Sequence, residues 1–402
     1  MSASLAAAHA IARGIAAQAI HHAGVCTWIE DETLGPDLYG GTAGVGLVLA
    51  EIGAATDDET LRATAAAALR HAIGAAGEVP LALAMGLFTG RLGIGLAAVR
   101  GGMIARDEAL VAAGEELLLA LVASDDDGPR HDLVGGRAGA LVGLLAASIA
   151  LGRPALAVRA ADLGDALVGA AEIDGDAWSW PHPTVAAHAN LSGLSHGAAG
   201  IGHALWELHA ATGEVRFRTA AQGAIAYERG RFHAASGNWP DDRDLGPSTA
   251  FAPRSRIAWC HGAPGIALAR HRAWELTGDE ACRGEAAAGV MLTARWLRAA
   301  LRTDRASFCL CHGLAGNAEI VRRCSDALAD GDARIAGVVV ERVAELGLQE
   351  YLDRVEPWPC GTPGGEPPGL MLGTAGIARF YLGRHDPGMP ALLLPSPALA
   401  VF

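Results

Sequence analysis

Apolar side chains recur three or four residues apart through Leu61 to Ile73, Glu108 to Ala123, Glu214 to Tyr227, Glu280 to Leu301 and Arg334 to Leu348. These stretches are rich in Ala, Leu, Glu and Arg, which lose little rotamer freedom in a helix, so each is predicted helical. Met1 to Ile20 reads as a further Ala-rich amphipathic helix. Its basic side chains are His9 and Arg13 alone, too few for the charged region of a signal peptide. Alternating β-branched runs are missing and aromatics are 5% of the chain, so the pattern predicts no substantial sheet.

Glycine supplies the second pattern. Seven clusters are each followed by an apolar helical run: Gly41-Thr-Ala-Gly44, Gly90-Arg-Leu-Gly93, Gly136-Arg-Ala-Gly139, Gly197-Ala-Ala-Gly200, Gly262-Ala-Pro-Gly265, Gly313-Leu-Ala-Gly316 and Gly373-Thr-Ala-Gly376. Their first glycines stand 46 to 65 residues apart, room for about two helices and their loops. Glycine at a helix start lets backbones approach closely and leaves free N–H groups pointing outward. Seven copies therefore predict seven inner helices whose N-termini gather at one end of a closed ring. Alternation with outer helices gives an all-α (α/α)7 toroid, a double α-barrel, expected to form one domain over residues 1–402.

Charge narrows the partners. Lysine and arginine number 31 against 44 acids, a formal charge of −13, and such a surface repels phosphate backbones, so no nucleic-acid partner is expected. No run approaches the ~18 apolar residues that span a bilayer, and a cytoplasmic protein, not integral to a membrane, is expected. Seven cysteines in a chain of this length, without a secretory segment, predict free thiols. Cys26, Cys282, Cys324 and Cys360 read as small buried hydrophobes.

The remaining cysteines sit in distinctive company. Clusters four, five and six read Ser195-His196-Gly197, Trp259-Cys260-His261-Gly262 and Cys311-His312-Gly313. A catalytic zinc takes three nitrogen or sulfur ligands and keeps a fourth position open. Cys260, Cys311 and His312 offer two thiolates and an imidazole from neighbouring ring positions, and soft sulfur favours zinc over magnesium or calcium. Cys309 is either a spare ligand or a packing residue. His261 has three readings: ligand, proton donor or pocket wall. His196 is either an acid–base residue or a helix cap, and Asp132 either an N-cap or a partner to a histidine. His182, His188, His203 and His209 read as ordinary core or surface residues. The segment from Asp174 to Asn190, with its Pro181-His182-Pro183 turn, is expected to form a loop over the ring mouth.

These three motifs and the seven glycine clusters resemble the lanthipeptide cyclase (LanC) family along essentially the whole chain. The resemblance implies one zinc ion on Cys260, Cys311 and His312, an active-site histidine at His196, an arginine at Arg256 and an aspartate at Asp132. It also implies the reaction: addition of peptide cysteine thiols to dehydroalanine or dehydrobutyrine, giving lanthionine thioethers. The expected partners are a dehydrated, leader-bearing precursor peptide and a separate dehydratase. The family often carries tyrosine after the first zinc cysteine; this chain has His261. Three other readings stand beside this one: a thiol transferase adding glutathione to dehydroamino acids, a zinc-containing peptide-binding scaffold, and a toroidal glycosidase. The last needs a carboxylate pair, and Asp132 has no obvious partner in the other clusters.

Overall fold

Each glycine cluster starts a helix. The computed structural model describes residues 1–29, 33–124, 126–187, 189–243, 255–303, 306–354 and 356–397. Within them, the seven inner helices are α2 (Thr42–Thr56), α4 (Arg91–Ala105), α6 (Arg137–Leu151), α8 (Ala198–Thr212), α10 (Ala263–Thr277), α12 (Leu314–Arg323) and α14 (Thr374–His385). The outer helices are α1 (Ala3–Ala17), α3 (Glu59–Gly74), α5 (Glu108–Val122), α7 (Pro154–Gly169), α9 (Val215–Arg231), α11 (Glu280–Ala300) and α13 (Asp330–Leu346). Each inner helix packs on both neighbouring inner helices, and α14 packs on α2, which closes the ring. Six outer helices follow their inner partners in sequence. The seventh place, beside α14, is filled by α1 from the other end of the chain.

The second glycine of each cluster is explained by close approach. A Cβ on Gly316 would lie 1.7 Å from the Leu310 carbonyl oxygen, and one on Gly93 would lie 1.8 Å from that of Leu87. The incoming loop thus lies directly on the first helical turn, where only glycine fits. The outer helices begin differently. Asp58, Asp107 and Asp279 cap α3, α5 and α11, each carboxylate accepting from a first-turn N–H at 2.9 to 3.1 Å. Inner helices bury nearly their whole circumference, whereas outer ones bury a single stripe, as an inner and an outer layer require.

Two short hairpins depart from the all-helical pattern: β1 (Ile20–His22) with β2 (Val25–Thr27), and β3 (Glu172–Asp174) with β4 (Ala177–Ser179). Both follow an outer helix and lead to a buried tryptophan that reaches back to that helix's last turn. Trp28 Nε1 donates to the Ile15 carbonyl and Trp180 Nε1 to that of Leu167, both at 2.8 Å.

The centre of the ring is not open. Residues 389–397, after α14, enter it and are held mainly through main-chain carbonyls. Arg323 donates to Met389 O (3.1 Å), Arg379 to Pro390 O (2.9 Å) and Trp259 Nε1 to Leu393 O (2.7 Å). His203 Nε2 lies 2.8 Å from Pro395 O, and Arg272 donates to Ser396 Oγ at 3.1 Å. The charges involved are buried and paired: Arg379 with Glu51 (2.6 Å), and Arg272 with Glu207 (2.6 Å). Among the described residues, no helix is long and apolar enough to cross a membrane.

Candidate active site and metal centre

Two residues before the first glycine of successive clusters stand Tyr39, Phe88, Val134, Ser195, Cys260, Cys311 and Met371. Their backbones are stitched around the ring mouth. Tyr39 N donates to Phe88 O (2.8 Å), Phe88 N to Val134 O (2.9 Å), Val134 N to Ser195 O (3.3 Å) and Ser195 N to Cys260 O (3.2 Å). Beyond the sixth repeat, Cys311 N donates to Met371 O (2.9 Å) and Met371 N to Tyr39 O (2.8 Å). No such link joins Cys260 to Cys311; there the two thiols stand beside each other instead. The turn at Cys260 is also the irregular one. Gly262 sits at φ +87°, a left-handed conformation suited to glycine, where the other six cap glycines are extended. Trp259 stands where the other six repeats have leucine, and its indole reaches down to residue 393.

The thiols are strongly coupled. The Cys260 thiol is lowered to about 7, chiefly by the hydrogen bond from Cys311, with the positive charges of His312 and Arg243 helping against burial. Cys311, as donor and buried, is pushed up. The Tyr39 hydroxyl also reaches the Cys311 sulfur, and burial keeps that phenol protonated. His312 adjoins the pair but turns its imidazole to Cys309, which raises the His312 pKa and lowers that of the Cys309 thiol. The structure therefore brings Cys260 and Cys311 together directly, while His312 stands beside them on Cys309. Two soft thiols with an imidazole alongside fit a zinc donor set.

A second group faces the mouth from repeats three and four. Asp132 Oδ2 accepts from His182 Nε2 at 2.9 Å and lies 3.2 Å from His196 Nδ1, and Oδ1 accepts from Gly135 N at 2.7 Å. Asp132 is thus no N-cap: Gly136 holds that position in α6. Burial would raise its pKa, but the hydrogen bond from His182 and the His196 ring beside it hold it well below the usual carboxylate range. The three ligand-type atoms of Asp132, His182 and His196 lie within 4.8 Å of one another, a spacing that admits a metal ion. Among the described residues this is the set that meets that spacing, and the Cys260, Cys311 and His312 set as it stands does not.

His261 bridges the two groups, its ring 6.0 Å from that of His196. It is buried, and burial together with the Arg243 charge lowers its pKa to about 3, so the ring is neutral. Arg256 does not reach Asp132. Its Nε donates to Asp241 at 3.2 Å, beside a two-pronged Arg243–Asp241 pair (2.7 and 2.6 Å), and its side chain is 54% exposed. Four contributors escaped the sequence reading: Tyr39, Asp241, Arg243 and His182. Tyr39 carries a signal, because it occupies the ring position equivalent to Cys260 and Cys311. His182, expected from sequence to be an ordinary core or surface residue, has no local mark, because its partner Asp132 is 50 residues away. His188 lies outside the described residues.

A fold of seven inner and seven outer helices, with thiols and imidazoles gathered at one mouth, defines a class. Residues 32–396 match the family described as lanthionine synthetase C-like protein, and the chain belongs to that family. Among solved structures, nisin cyclase superposes with a TM-score of 0.63 at 16% identity, covering 88% of this chain and 89% of its own. At that identity the likeness speaks for the fold. A family 76 glycoside hydrolase from a bovine Bacteroides thetaiotaomicron strain matches more distantly, with a TM-score of 0.41 at 14% identity, over 87% of this chain and 78% of its own.

Proposed function

We propose that the protein is a zinc-dependent peptide cyclase that adds cysteine thiols to dehydroalanine or dehydrobutyrine, forming lanthionine or methyllanthionine thioethers. The observation that carries this reading is the Cys260–Cys311 thiol contact at the ring mouth, within reach of His312 and facing the Asp132–His196 pair. Zinc held by Cys260, Cys311 and His312 would keep a substrate thiol ionised at neutral pH.

The chain's own residues account for the rest. Sulfur bonds to the β-carbon of the dehydro residue, the double bond shifts to an enolate, and the α-carbon takes a proton. His196 is the proton carrier in this reading: its Nδ1 faces Asp132, and its Nε2 takes the proton released by the substrate thiol and passes it to the α-carbon. Asp241 pairs with Arg243 and with Nε of Arg256, and the exposed end of the Arg256 guanidinium meets the enolate oxygen or a peptide carbonyl in this reading. Addition consumes a dehydro residue, so a dehydratase acts earlier. That enzyme and a leader-bearing precursor peptide are the proposed partners.

The test is incubation of the zinc-loaded protein with a dehydrated peptide containing cysteine, with and without glutathione. Cyclisation leaves the mass unchanged and removes the alkylatable thiol. An adduct one glutathione heavier would make the protein a thiol transferase, and unreacted peptide in both arms would refute the addition chemistry.

A further inference from the structure

The spacing of Asp132, His182 and His196 invites a second metal ion, but the hydrogen bonds around His182 assign its protons otherwise. His182 Nδ1 accepts from two backbone N–H groups, Thr184 at 3.3 Å and Val185 at 3.1 Å. A nitrogen facing two donors carries no proton of its own. The neutral ring therefore holds its proton on Nε2, the atom 2.9 Å from Asp132 Oδ2. A metal on Nε2 would require the ring to lose both protons.

We infer that His182 is a positioning residue: it donates to Asp132 and fixes the carboxylate so that His196 must keep its own proton on Nδ1. The carboxylate is buried at 1% exposure and pinned on Oδ1 by Gly135 N, so it has little freedom to turn once Oδ2 is held as well. His196 Nδ1, 3.2 Å from the same oxygen, is then the N–H side of its ring, and the two histidine rings stand edge to face, 5.4 Å apart. The consequence is directional: with the fixed proton on Nδ1, His196 takes up and gives up its second proton at Nε2. The Pro181-His182-Pro183 turn thereby becomes the part of the loop between β4 and α8 that couples to the chemistry. The inference rests on His196 as the proton donor proposed above.

The experiment uses the full zinc-loaded chain labelled with 15N-histidine, comparing wild type, His182→Gln and His182→Ala by long-range 1H–15N correlation, zinc content and turnover. Glutamine keeps an N–H donor near the position of Nε2. The wild-type His182 is expected to show the neutral Nε2–H pattern. His182→Ala is expected to retain its zinc, release the fixed His196 tautomer and lose about 10- to 100-fold in kcat with KM little changed, and His182→Gln to recover most of that loss. A His182 protonated on Nδ1, a zinc equivalent lost with its side chain, or an unchanged His196 tautomer in His182→Ala would each overturn the inference. If the alanine variant does not fold, the wild-type tautomer and the glutamine variant decide it. Full turnover by His196→Ala, with His182 behaving as described, would instead remove the His196 assignment and leave the His182–Asp132 geometry standing.

Discussion

Cys260 and Cys311 set their thiols side by side across two adjacent repeats, at the junction where the backbone stitching of the ring mouth is interrupted. Repeats one to five, six to seven and seven to one are joined main chain to main chain; here side chains replace the main chain. A site that needs two sulfurs on one centre needs this local departure from symmetry, and the left-handed Gly262 and the unusual Trp259 accompany it.

Substituting either sulfur tests the metal centre directly. Cys260→Ala and Cys311→Ala are each expected to lose bound zinc, from about one equivalent per chain to a small fraction, in elemental analysis after dialysis against a weak chelator. Full retention by both variants would exclude these residues as ligands.

His196→Ala separates chemistry from metal. The variant is expected to keep its zinc while thioether formation falls by about 10²- to 10⁴-fold, the usual range for a positioned proton donor. Alkylation of the remaining peptide thiol, followed by mass, provides the rate. Wild-type turnover would exclude the role.

Asp132 makes stability depend on acid. Its carboxyl is held below the unfolded value of about 3.9, so its contribution is fully present above that pH and is lost as pH falls toward the folded value. Asp132→Asn is expected to cost about 2 kcal/mol at neutral pH. The gap between the two chains, followed by denaturant unfolding, should narrow steadily below pH 4. A gap that stays constant down to pH 2 would contradict the assignment.

The glycines divide into two groups with opposite expectations. Gly316→Ala drives a Cβ against the Leu310 carbonyl and is expected to cost about 3 kcal/mol or more. Gly337, inside α13 with nothing near its missing Cβ, should gain about 0.5–1 kcal/mol on replacement by alanine. Thermal denaturation of the two variants distinguishes a packing role for the cluster glycines from mere flexibility.

The comparison of sequence with structure follows the range of the forces. Helices at Glu108, Glu280 and neighbouring stretches were legible because apolar periodicity is local, and their observed bounds differ by a few residues at most. The ring was legible because a backbone close approach repeats seven times and leaves glycine behind each time. The place of α1 was not, since nothing in residues 3–17 specifies a partner more than 350 positions away. The sulfur pair was readable from equivalent positions in adjacent repeats, and Tyr39 was readable by the same rule. Arg243, Asp241 and His182 come from loops outside the repeat, and their approach to His261 and Asp132 is a tertiary event without a local signature.

Residues 389–397 turn the doughnut into a cup. Among the described residues, this segment crosses the ring with Leu393 tied to Trp259 and Pro395 tied to His203. Under the proposed chemistry, a peptide that enters at the mouth would leave the way it came, carrying any new ring with it. Successive closures on one precursor would then be separate visits to a cul-de-sac rather than stations along a tunnel.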